Sequence, residues 1–157
     1  MDSDKMRRGI IPGIIAGYVF LAFIGASMVP MMDAEGNMSM SMNNGMLEMV
    51  GGMINADAFV GFILHVIISA VIGALYTGLF ADRVDLGNPL MNIAVGGLIY
   101  GLIWWIIGGN IIMPAVSGGD ILSLDFQHPS LFGHVIFGHV LAFLVVLRDN
   151  AMGMTDE

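Results

Sequence analysis

Four long runs free of charged side chains punctuate this chain, at residues 9–29, 58–80, 89–114 and 130–147. They hold 21, 23, 26 and 18 residues, and the third is interrupted only by the uncharged Asn92 and Asn110. A helix needs about 20 apolar residues to cross the hydrocarbon of a bilayer. Lipid cannot satisfy an exposed backbone N–H or C=O, so each run must be helical. The pattern predicts an all-α membrane protein with four transmembrane helices, forming a single membrane domain over residues 1–157.

Composition removes the soluble alternative. The chain is 57% hydrophobic and 11% charged, against about 25% charged in soluble domains. A soluble domain this small has too much surface for its volume to hide that much apolar area. With no cysteine, disulfides and thiolate chemistry are excluded.

The basic residues orient the path. Lys5, Arg7 and Arg8 precede the first run, Arg83 lies between the second and third, and Arg148 follows the fourth. All five fall on one side of a four-span topology, and Lys and Arg stay inside. This predicts a multi-pass protein of the cell membrane with both termini cytoplasmic. The outer loops, residues 30–57 and 115–129, hold no Lys or Arg. A net charge of −8, with the acids in tails and loops, argues against nucleic acid as a partner.

Two hairpins of the chain resemble each other. Shifted by 84, the first run overlays the third: Gly13 on Gly97, Gly17 on Gly101, Gly25 on Gly109, Pro30 on Pro114 and Phe20 on Trp104. Shifted by 69, the second overlays the fourth, with His65 on His134. The reading is a duplicated helical hairpin, its symmetry axis along the membrane normal. It also argues against the first run being a cleaved signal peptide, which its basic start and small residues would permit. The small-xxx-small pairs Gly13/Gly17 and Gly97/Gly101 let helix backbones approach closely in lipid. They suggest the first and third spans as the tight central pair.

Ionisable residues inside a span usually face the bundle interior and mark function. His65 and His134 fall at one computed depth, about 6 Å from the midplane at ~1.5 Å per residue. They form a candidate pair for a shared ligand or for haem, with Trp104 as an aromatic wall and Trp105 beside it. The bland reading is an imidazole bonded to a neighbouring carbonyl, tying helices together. His139 is five residues from His134 and about 140° round the helix, which makes it a weak metal candidate on another face. His128 reads as a solvated loop residue.

The first outer loop is rich in methionine: nine lie between Met28 and Met53, with the alternation Met38-Ser39-Met40-Ser41-Met42. Thioethers select Cu(I), so Met38, Met40 and Met42 are candidate copper ligands. Against this, methionine is an adaptable hydrophobe. Met42, Met46, Met49 and Met53 recur at helical spacing and would suit an amphipathic helix lying on the membrane.

The segments HVIISAVIGALYTGLF (65–80), GLIYGLIWWIIGGNIIMP (97–114) and LFGHVIFGH (131–139) carry a resemblance. Over residues 61–147 the chain resembles a family of small archaeal and bacterial four-helix membrane proteins with no established function. The resemblance implies the four-span topology and makes His65, Trp104, Trp105, Pro114 and His134 family-typical. The Met-rich loop and His139 are particular to this chain. Members are sometimes labelled histidine kinases; this chain has neither room for a kinase core nor a nucleotide-binding motif.

No P-loop, HExxH, GxSxG or CxxC pattern occurs, and no Asp or Glu lies within a run, so an enzyme is the least supported class. The leading expectation is a non-catalytic accessory subunit of a membrane complex, or a binding protein for a cofactor or metal. Its partners would be the bilayer and another membrane protein or a second copy. The alternative is a small-solute or ion transporter or channel. The orientation has a direct check. A phosphatase reporter active only outside the cytoplasm, fused after Glu157, is expected to be silent, and activity there would reverse the topology.

Overall fold

Two spans begin where a short polar side chain takes up free helix N–H groups. Asp57 accepts from Val60 N at 3.0 Å and opens the second span. Asn88 accepts from Leu90 N at 2.8 Å and opens the third, with Pro89 in its first turn. The computed structural model describes residues 3–26, 28–32, 38–42, 45–84, 86–124, 126 and 129–153. Four helices are long and apolar enough to cross a membrane: Ser3–Ile24, Ala58–Arg83, Pro89–Ser117 and Pro129–Ala151. Large apolar side chains such as Ile11, Phe59, Ile67 and Leu90 are exposed on the bundle surface. Lipid is the solvent that suits them.

Glycine sets the helix spacing. A Cβ built on Gly13 would stand 2.8 Å from Gly73 Cα and would also collide with Ser69 O. One on Gly17 would meet the side chains of Ser69 and His65. The first span therefore lies backbone-to-backbone on the second. The same holds in the other half. A Cβ on Gly97 would stand 3.0 Å from Gly138 O, and one on Gly101 would stand 3.0 Å from Val135 Cα beside His134 O. This corrects the expectation of a central first-and-third pair: each glycine pattern faces the next span of its own hairpin. In lipid no water-exclusion force draws helices together, so close backbone packing takes its place.

Two other contacts join the halves. Tyr100 Oη donates to Ile72 O at 2.6 Å, linking the third span to the second. Tyr76, Phe80 and Tyr100 pack ring to ring around that bond, with centroids 4.8 to 5.6 Å apart. On the opposite side Phe20 and Ile24 of the first span cover Gly133 of the fourth. At the end of the bundle that carries the termini, Lys5 pairs with Asp82. The core runs along these seams through Ala16, Phe20, Leu141 and Ala142.

The third span is not a regular α-helix. It widens to π-helix over Asn92–Gly96 and again over Trp105–Ile112. The second widening has a local cause. Pro114 has no N–H to offer the carbonyl four residues back, at Asn110. Leu122 N, from the following loop, takes that oxygen instead at 2.8 Å. The Asn110 side chain is buried and donates to Trp105 O at 2.9 Å. Gly118 then ends the span in the left-handed conformation, with φ of 78°.

The loop between the first two spans contains regular structure. Met28–Met32 and Met38–Met42 pair as a short antiparallel ribbon, with Met28 opposite Met42 and Met32 opposite Met38. A helix follows at Gly45–Gly52. One amphipathic helix from Met42 to Met53 is therefore corrected. The Met-Ser alternation has the two-residue period of a strand, and Met42 belongs to the ribbon. The first helix likewise stops at Ala26, short of residue 29. The helix Gly45–Gly52 seats on the second span where Gly61 meets the backbone at Leu47 and Gly51.

The glycine seams can be tested with a matched pair. A Cβ at Gly138 would collide with Gly97 O, whereas one at Gly52 meets nothing within 4 Å. Gly138→Ala is expected to cost about 1–3 kcal/mol, as overpacking does. Gly52→Ala should be close to neutral. Thermal unfolding of the two variants in detergent reads the difference.

Candidate functional site

At the end of the bundle away from the termini the helices part around a cavity of about 560 Å³. Phe20 and Ile24 come from the first span, His65, Ser69 and Ile72 from the second. Trp104, Trp105, Gly108, Gly109 and Asn110 come from the third, and Ser130, His134 and Phe137 from the fourth. Met46, Met49 and Val50 of the helix Gly45–Gly52, with Met53 just after it, close the loop side. The volume falls within the range of about 300–1,000 Å³ usual for sites that enclose a small organic molecule.

His65 and His134, chosen from sequence, line this one cavity. Phe20 packs against both. Its ring is stacked on His65 with centroids 5.5 Å apart, and edge-on to His134 at 5.0 Å. Each imidazole already spends one nitrogen on a backbone carbonyl. His65 Nε2 lies 3.2 Å from Gly17 O across the helix seam. His134 Nδ1 lies 2.7 Å from Ser130 O one turn back in its own helix, with Ser130 Oγ at 3.3 Å. A carbonyl can only accept, so those nitrogens carry the protons. In the neutral rings Nδ1 of His65 and Nε2 of His134 are then lone-pair acceptors. The edge of His134 bearing Nε2 faces Gly108, whose built Cβ would lie 3.8 Å from that nitrogen.

This geometry does not fit haem held between the pair. Two axial imidazoles must oppose one another across a slot, and here the Phe20 ring packs against both. A bare metal fares no better on these donors: no group of three or more His, Asp or Glu is placed to hold an ion among the described residues. His139 stands apart from the cavity, its Nδ1 2.8 Å from Val135 O of its own helix. The side chains of Met38, Met40 and Met42 lie outside the described residues, as does His128. The described thioethers that gather are others: Met49, Met53 and Met113 border a second cavity of about 240 Å³ beside the first.

Trp104 and Trp105 both wall the main cavity. Trp105 is buried and packs on Phe126 at 5.4 Å. The Trp104 ring stands edge-on to Tyr100 at 6.1 Å, and its buried Nε1 is turned toward that neighbour and away from the cavity. Sequence reasoning missed two contributors, Phe20 and the helix Gly45–Gly52, while Asn110 stood out only as a polar interruption of the third run. Phe20 was marked only by its overlay on Trp104. The wall formed by Gly45–Gly52 gave no signal, because its methionines read equally well as membrane-surface residues.

A family described as a family of unknown function (DUF6789) matches residues 6–151, nearly the whole chain, including the first span. No curated protein and no solved structure matches.

Proposed function

We propose that this chain, which belongs to the DUF6789 family of unknown function, is a non-catalytic membrane protein that holds a small, largely apolar molecule between its four spans. One observation carries the reading. The two histidines, both tryptophans and the buried Asn110 converge from three spans on a single cavity of about 560 Å³ with a mainly apolar lining. Few polar groups set in an apolar cleft is the usual make-up of a small-molecule site.

Holding is favoured over passage by the glycine seams. They press backbones together between the cavity and the end that bears the termini, at Gly9 and Gly13 against Gly73, and at Gly97 against Gly138. A transporter would have to open that end. We further read the bundle as two copies of one hairpin. Under the shifts of 84 and 69, the contact of Gly13 with Ser69 O maps onto Gly97 with Gly138 O. The contact of Gly17 with His65 maps onto Gly101 with His134. On this reading the two histidines occupy equivalent positions and meet at one site.

The test uses the protein's two tryptophans as reporters. Titrating the purified protein in detergent with 4-nonylphenol should give a saturable change in tryptophan fluorescence. Gly108→Leu should abolish it while keeping the fold, because the nearest atom to a Cβ there is 3.8 Å away and the added bulk fills the cavity. A non-saturating response, identical in both proteins, would indicate partition into the micelle and refute the site.

A further inference from the structure

We infer that the cavity selects a neutral apolar molecule bearing a hydroxyl group, over its ether, carbonyl or charged counterparts. This rests on the binding reading above and names the ligand class of the same site. The first argument is charge. Among the described residues no Lys or Arg lines the cavity, and the one carboxylate that does, Asp120, belongs to the loop after the third span. An anion would find no counter-charge. A cation would find none among the spans, and burying an unpaired ion is prohibitive.

The second argument is the sense of the hydrogen bonds. The Gly17 and Ser130 carbonyls take the protons of His65 Nε2 and His134 Nδ1. What each neutral ring has left to offer is a lone pair. Asn110 donates one of its two amide protons to Trp105 O, and its Oδ1 can only accept. A bound molecule must therefore bring a proton donor if these acceptors are to be met. A ketone, quinone or ether brings none, and leaves a desolvated acceptor without a partner. A hydroxyl donates one proton and accepts in return.

The third argument is shape. Gly108 and Gly109 leave the wall opposite His134 bare of side chains, within 4 Å of the imidazole edge. A polar head can thus approach Nε2. The apolar remainder would lie against Ile24, Met46, Met49 and Met53 toward the loops. Methionine suits that role because its unbranched, polarisable side chain moulds to differing apolar shapes.

A matched pair of probes tests the claim. 4-Nonylphenol and 4-nonylanisole share their apolar bulk and differ only in methylation of the oxygen. The wild-type protein should bind the phenol about tenfold more tightly, the effect of leaving a buried acceptor unmet. His134→Leu should bind both and lose most of that preference. Equal binding of the two probes by the wild type would overturn the hydroxyl assignment while leaving the cavity reading intact. Saturable binding of neither would overturn both. If His134→Leu fails to fold, the wild-type ratio alone still decides.

Discussion

Backbone contact across glycine is the constraint on which the rest of this bundle depends. In water, helices are driven together by the exclusion of solvent; in lipid they must earn association through packing. Here a Cβ on Gly13, Gly73, Gly101 or Gly138 would stand within about 3 Å of backbone in the facing helix. Each hairpin is thus closed at the end that bears the termini. Beyond Gly17 and Gly101 the spans no longer touch backbone to backbone within each hairpin, and the cavity occupies the space where they part.

Bulkier residues begin where the seams stop. Past Gly17 the first span presents Phe20, which packs against His65 and His134. Past Gly101 the third span presents Trp104 and Trp105 and then widens into the π-helix Trp105–Ile112. Pro114 withholds one N–H, Leu122 supplies it to Asn110 O, and the Asn110 side chain bonds Trp105 O. Wide π turns inside an α-helix are frequent at functional sites. Their effect here is to set two tryptophans, two glycines and one asparagine on a single cavity wall.

The four crossings were legible because charge-free length is a blunt signal, and the positions of His65 and His134 were legible because an ionisable group within a span is conspicuous. What the glycines touched was not. A small-xxx-small pattern says that a backbone approaches, without saying which, and the nearest neighbour in sequence proved to be the partner. The fate of the imidazoles was equally hidden. Whether a ring nitrogen meets a carbonyl or a ligand depends on rotamer and helix rotation, neither of which leaves a trace in composition. The ribbon Met28–Met42 shows a third kind of loss. Its two-residue period was visible, but the methionines drew attention to their sulfur chemistry and away from their spacing.

The central claim is that the space between the hairpins belongs to a bound molecule. Native mass spectrometry of the full chain, released from its own membranes in mild detergent, tests it most directly. The account predicts a stoichiometric adduct of a neutral, hydroxyl-bearing lipophile on the wild-type protein, absent from Gly108→Leu prepared in the same way. A wild-type protein that flies bare while ordinary lipids are still retained, or an adduct carried equally by Gly108→Leu, would contradict it.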